Sequence, residues 1–252
     1  MHVSSRSGTT PGICEMLDWD SSFFGLRIAR FSGATFGRDA ADAALRFCAD
    51  HQIDCLYVLI DAANTDALHV AQQSGGCVVD IRVTLETALP PELPPAPTRV
   101  ASIRPATDRD IPHLQGIARE SHRDTRFYAD PGFDRERCHR LYETWIEKSC
   151  RGYADAVFVA EHAGEAAGYV TCHKESIGTG RIGLIAVAPP LRSLGLGIQL
   201  LQSALAWCGS EGLQSVRVST QARNVSGLRL YEHNGFVTVS VQMWFHLWRS
   251  RA

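Results

Sequence analysis

The sequence predicts a mixed α/β protein, and three observations carry that prediction. Strand and helix patterns alternate along residues 100–245, the order that builds sheets flanked by helices. A glycine-rich turn, Arg192–Gly197, stands between a strand pattern and an amphipathic helix pattern. Residues 44–83 also repeat, without gaps, in residues 204–243, which predicts an internal structural duplication.

Residues 1–8 have neither an apolar core nor a cleavage site, so they are expected to be a tail and not a signal peptide. The clearest break is residues 90–98, which hold five of the 11 prolines. Such a segment reads as a stiff linker, because proline suits neither a helix interior nor a central strand. The chain is therefore expected to divide into a smaller domain, 1–95, and a larger one, 96–252.

In the larger part, residues 100–104 read as a short strand. Residues 108–120 read as a helix, with Ile111, Leu114 and Ile117 at spacings of three. Residues 135–148 form a second helix pattern around Leu141, Trp145 and Ile146. Strand patterns follow at 156–160, 167–173 and 181–187. A helix from about 198 to 207 puts Ile198, Leu201, Leu205 and Cys208 on one face, and Gly209 and Gly212 end it. Residues 215–220 read as a strand, 226–233 as a helix capped by Gly235, and 236–245 as a final strand. In the repeat, Ala44 and Cys48 fall on Ala204 and Cys208, Asn64 on Asn224, Leu68 on Leu228, and Gly75 on Gly235.

Composition narrows the function. The 252 residues are 45% hydrophobic and 21% charged, with 25 Lys and Arg against 27 Asp and Glu. That is ordinary for a globular domain, and the lack of basic excess argues against general nucleic-acid binding. No apolar run is long enough to span a bilayer. The eight cysteines form no Cys-x-x-Cys, and there is no His-x-x-x-His or His-Glu-x-x-His. They read as small buried apolar residues in a reducing compartment, so a cytoplasmic location and no metal are expected.

Arg192-Ser193-Leu194-Gly195-Leu196-Gly197 carries the strongest local signal. Glycines let a backbone approach a ligand closely, and a helix N-terminus offers free N–H groups and a positive dipole end. A pyrophosphate would suit it. A Walker loop needs Gly-Lys-Ser/Thr, which is missing. A dinucleotide fold wants glycine at Leu200 and an acidic residue after the next strand, where Thr220 and Gln221 stand.

The combination of Arg192-x-x-Gly195-x-Gly197, a helix, a strand, Asn224, Tyr231 seven residues later, and Gly235-Phe236 resembles the GNAT acetyltransferase superfamily. The resemblance covers about residues 100–245. It implies a GNAT fold, with a smaller partial GNAT-like domain before it, and acetyl-coenzyme A as cosubstrate. It implies that the loop Arg192, Ser193, Leu194, Gly195, Leu196, Gly197 holds the pyrophosphate. The strand end Leu184, Ile185, Ala186, Val187 would splay from its neighbour and hold the pantetheine arm and thioester. Asn224 would contact the cofactor, and Tyr231 would lie near the sulfur as general acid. A closer resemblance, to members acting on nucleotide-linked amino sugars, rests on Leu17–Gly25, Arg126–Asp130, Leu141–Cys150, Gly168-Tyr-Val and Arg181–Val187, and spans nearly the whole chain. It implies N-acetylation of such a sugar, first of all dTDP-4-amino-4,6-dideoxygalactose, for surface polysaccharide synthesis.

A nucleotide sugar carries its own pyrophosphate, so its cleft wants cations and a stacking surface. Arg123, Arg126, Phe127 and Tyr128 are expected to supply both. His173 and Glu175 end the strand before the cofactor strand, and the base that deprotonates the amine stays unassigned among them and water. Two other readings stay open: a GNAT enzyme acting on a protein N-terminus or small amine, and a degenerate GNAT binding module. No nucleic acid or membrane insertion is expected, and a homodimer is compatible with the sequence.

Overall fold

The computed structural model describes residues 13–89 and 101–249. The tail at 1–8 and the proline-rich segment at 90–98 lie outside the described residues. The described residues form two compact units, one drawn from residues 1–81 and 242–252, the other from residues 82–241.

The first unit contains β1 (Cys14–Met16), α1 (Asp18–Phe24), β2 (Ile28–Phe31), α2 (Arg38–Asp50), β3 (Cys55–Asp61), α3 (Thr65–Gln73) and the first residues of β4 (Cys77–Ala88). β2 and β3 run parallel, so α2 is the crossover that parallel strands require. Ala41 and Ala44 on α2 and Ala67 and Ala71 on α3 are buried against Ala29, Leu56, Val58 and Ile60. Alanine on the inner helix faces lets both helices lie close to the strands.

The second unit contains β4 from Arg82 onward, β5 (Ser102–Pro105), α4 (Ile111–Ser121), α5 (Arg126–Ala129), α6 (Arg135–Lys148), β6 (Ala156–His162), β7 (Glu165–Ser176), β8 (Thr179–Val187), α7 (Leu196–Ser210), β9 (Ser215–Gln221), α8 (Val225–His233) and the start of β10 (Val237–Trp248). Its strand order is β4-β9-β8-β7-β6-β5. Neighbours are antiparallel except β8 and β9, whose crossover is α7. Leu196, Leu200, Leu201, Ala204, Leu205 and Cys208 make the buried stripe of α7, as helical spacing requires. Close packing there depends on Gly180, where an added Cβ would stand 2.7 Å from Cys208 Sγ. Asp134 starts α6 by accepting from the Arg137 N–H at 2.9 Å, and Cys138, Leu141, Tyr142 and Ile146 form its buried face.

The repeat is visible element by element. β3, α3 and β4 correspond to β9, α8 and β10 at one constant offset, Cys55 to Ser215 and Cys77 to Val237. Asn64 and Asn224 cap the paired helices, accepting from Ala67 and Gly227 N–H groups at 3.1 and 3.0 Å. Gly75 and Gly235 both stand at positive φ, +84° and +81°, which sets the turn into the following strand.

The last strands are exchanged. In the first unit, β3 pairs with Gln242–Trp248 of β10, Asp61 opposite Gln242. In the second, β9 pairs with Arg82–Ala88 of β4, Gln221 opposite Arg82. The two registers are equivalent, so each unit takes its closing strand segment from the other repeat.

Seven of the eight thiols are buried or half-buried, as a reading of them as apolar residues requires; Cys77 differs and is exposed.

Candidate active site

β8 and β9 pair only from Thr179 opposite Ser215 to Ile182 opposite Val218. Beyond that the strands diverge, while β8 stays paired with β7 through Val187 opposite Gly168. The free edge of Gly183–Val187 and the start of α7 line a cavity of about 690 Å³ in the second unit. The divergence has a local cause. β7 and β8 shift register around Thr171, whose Oγ1 accepts from the Leu184 N–H at 2.8 Å. Gly183 lies against His173, where a Cβ would meet Nε2 at 2.5 Å.

Leu184, Ile185, Ala186 and Val187 all line this cavity, as do Arg192, Ser193, Gly195, Leu196, Gly197, Asn224 and Tyr231. Leu194 does not, and is exposed. Ser193 and Gly195 have φ of +67° and +84°, and alternating left-handed residues of this kind turn successive N–H groups towards one point. Arg192 reaches back to the Val187 carbonyl and the Ser121 hydroxyl, both at 3.3 Å. Asn224 is engaged within the chain, since Nδ2 donates to Thr220 Oγ1 at 2.9 Å and Oδ1 caps α8. Its position at the cavity wall therefore follows from the cap.

Tyr231 is 3% exposed, tilted at 56° against Phe236. Burial pushes its phenol well above the ordinary value, because the anion would lose its hydration. The hydroxyl stays protonated at neutral pH.

Several lining residues escape sequence reasoning. His122 ends α4, stacks on Tyr142 and shares a 2.8 Å hydrogen bond with the Tyr169 hydroxyl. Burial, with Arg192 nearby, pulls its pKa down to about 4. Thr125, Tyr142, Trp145 and Gln221 also contribute. A histidine at a helix end carries no spacing that would single it out. On β4, Arg82 donates to the hydroxyl of Ser219 at 3.1 Å, and Ser219 lines the cavity.

Of the residues expected to meet an acceptor, Arg123 and Tyr128 line a second cavity of about 370 Å³. Phe127 is packed among Phe133 and Trp145, and the Arg126 guanidinium lies 4.4 Å from its ring centre. His173 is buried, with Nε2 unpartnered against Gly183, and Glu175 is ion-paired with Arg181 at 3.2 Å. Among the described residues, no group of three or more His, Cys, Asp or Glu could hold a metal, and no helix is long and apolar enough to cross a membrane.

Burial, chiefly, also pulls His173 down to about 4. Both histidines protonate near 6.5 once unfolded. The unfolded chain therefore binds more protons between those values, and stability falls as pH drops from about 6.5 towards 4. The melting temperature at pH 5 is expected to lie several degrees below that at pH 7, with about 1–2 kcal/mol from each histidine. His173→Gln should recover part of that difference in thermal melts. An undiminished difference in the variant would remove His173 from the effect.

The acetyltransferase (GNAT) family profile matches residues 115–236. The chain is 29% identical over 234 residues to dTDP-fucosamine acetyltransferase of Escherichia coli, covering 92% of this chain and 96% of the relative. It is 26% identical over 200 residues to the spore coat polysaccharide biosynthesis protein SpsD of Bacillus subtilis, covering 78% and 68%. Among solved structures, a GCN5-related N-acetyltransferase from Sphaerobacter thermophilus shares the fold at a TM-score of 0.64 and 19% identity, over 92% of this chain and 75% of that one. The profile begins within α4 and ends at Phe236, so it takes in the diverging strands, the glycine loop, Asn224 and Tyr231. The segment that carries the candidate site is thus the segment that matches the GNAT acetyltransferase family.

Proposed function

We propose that the protein moves the acetyl group of acetyl-coenzyme A to the amino group of a nucleotide-linked amino sugar. dTDP-4-amino-4,6-dideoxygalactose is the first acceptor to consider, with surface polysaccharide as the destination. The observation that carries this reading is the end-to-end likeness to the Escherichia coli sugar-nucleotide enzyme, 92% and 96% of the two chains. Eight free thiols suit a reducing, cytoplasmic setting.

The cavity fits the cosubstrate. A long thin arm can lie along the unpaired edge of Gly183–Val187, with a diphosphate at the loop that Ser193 and Gly195 shape. Acetyl-coenzyme A supplies the activated acetyl group as a thioester. Backbone N–H groups near Val187 stabilise the charge that develops on the carbonyl oxygen as the neutral amine attacks. Tyr231 gives its proton to the sulfur as the carbon–sulfur bond breaks, and the proton that the amine nitrogen sheds passes through water, which restores the phenol. The transfer is direct, in a ternary complex, and no thiol of the chain is acetylated. The cavity that holds Arg123 and Tyr128 receives the acceptor, while Arg126 and Phe127 keep that loop in place.

A thiol-release assay over dTDP- and UDP-linked amino sugars tests this reading. Turnover is expected on nucleotide sugars carrying a free amine, highest on the dTDP-4-amino sugar. Release with a peptide N-terminus or a polyamine, and none with any nucleotide sugar, would overturn it.

A further inference from the structure

The second cavity has a composition that the acetyl-transfer steps do not use. Arg123 and Asp124 from the segment after α4, Tyr128 of α5, Arg135 and His139 of α6, and Arg223 before α8 line it. Three guanidinium groups face one carboxylate. Asp124 also lines the cofactor cavity, so the two spaces adjoin. The walls are braced from within. The Tyr128 hydroxyl bonds His139 Nδ1 at 2.8 Å, and the Arg135 guanidinium lies 5.7 Å from the centre of the Tyr128 ring. Burial, chiefly, holds that phenol up at about 12, so it stays protonated and uncharged at neutral pH.

We propose that this cavity is an anion subsite that holds the diphosphate of the nucleotide-linked acceptor, with Arg123, Arg135 and Arg223 as its cationic wall. The inference rests on the acceptor class proposed above and adds the residues that would read its nucleotide half. A diphosphate joined at both ends carries a negative charge on each phosphate, and guanidinium forks match phosphate oxygens in pairs. The volume lies at the lower end of small-molecule pockets, about 300–1,000 Å³, which suits a diphosphate with part of its nucleoside. The sugar amine then faces the space shared through Asp124. Arg135 and Arg223 are far apart in sequence and flank helix starts that serve other purposes, so the cluster exists only in the folded chain.

Calorimetry on the full chain can test the subsite, with dTDP as titrant and coenzyme A at saturation so that the glycine loop is already filled. dTDP is expected to bind, and Arg135→Gln and Arg223→Gln should each weaken it about tenfold or more. Their coenzyme A affinity should be unchanged. Both side chains are exposed, so the variants should keep the parent melting temperature. Gly195→Ile should show the converse, with coenzyme A lost and dTDP retained. No dTDP binding by the parent protein, or unchanged dTDP affinity in both arginine variants, overturns the proposal. A loss of coenzyme A affinity in the arginine variants, with dTDP unaffected, also overturns it and assigns the cavity to phosphates of the cofactor. dTDP has no amine, so the measurement is independent of acetyl transfer. Binding of dTDP together with no thiol release on any nucleotide amino sugar would sink the proposed reaction and leave the subsite standing.

Discussion

Replacing Tyr231 with phenylalanine is expected to slow acetyl transfer by about 10²–10⁴-fold, the usual contribution of a positioned general acid. The ring fills its place against Phe236 with or without the hydroxyl, so acetyl-coenzyme A affinity should hold. A departing thiolate in water takes up a proton near pKa 8.5, and a phenol raised by burial is a weak acid for that purpose. The same apolar surroundings raise the proton affinity of a thiolate held beside it, so donor and acceptor move together. Because the phenol is raised, Tyr231 should impose no alkaline limb on the rate below about pH 10. Single-turnover kinetics across pH, with a separate measurement of cofactor affinity, would check both statements. A near-native chemical step in the variant would pass the proton's source to water.

A second large effect is expected at the glycine loop. Gly195 stands at φ +84°, where a β-branched residue is strained whatever space surrounds it. Gly195→Ile should therefore turn the N–H groups of the loop away from their common focus and lower coenzyme A affinity by about 100-fold or more. Leu194 on one side is exposed and Leu196 on the other begins the buried stripe of α7, so a thermal melt of the variant accompanies the measurement to show that the fold survives. Gly197 makes a useful contrast. A Cβ there would meet Leu230 at 3.6 Å, an ordinary contact, so Gly197→Ala should leave the free protein undisturbed. Any loss of affinity in Gly197→Ala would then report ligand approach alone. Calorimetry on both variants separates the two causes, and unchanged affinity in folded Gly195→Ile would sink the loop assignment.

Much of this architecture can be read from the residues. Helical spacing at Leu201, Leu205 and Cys208 marks α7, and the offset that brings Asn64 onto Asn224 marks the duplication, because caps and turn glycines are local devices. The exchange of closing strands cannot be read that way. Residues 77–88 and 237–248 carry similar strand patterns, and a strand pattern does not say which repeat will supply its partner. The glycine-loop side of the cavity is legible because Arg192, Gly195 and Gly197 lie close together in the sequence. The wall of the second cavity is not, since Arg123, Arg135 and Arg223 come from three separate stretches of the chain and meet only through tertiary packing. Phe127 shows the limit from the other direction. An aromatic residue in a basic loop suggests a stacking surface, yet packing against Phe133 and Trp145 gives it an interior place.

Exchange of the closing strands also sets an order on synthesis. β3 cannot receive Gln242–Trp248 until every residue between Asp61 and that segment has been made. At about 5–20 residues per second, the wait after Asp61 is roughly 10–35 s. During that interval the Cys55–Asp61 backbone presents an unclosed edge to the cell, the kind of edge that invites association with other chains. The repeats are similar enough that β4 could fold back on its own β3 and occupy the place meant for β10. A nascent chain thus faces a choice between a local strand pairing across α3 that forms early and a distant partner that forms late. Fragments released before residue 242 should favour the local pairing, which makes the length of the nascent chain a control on its topology.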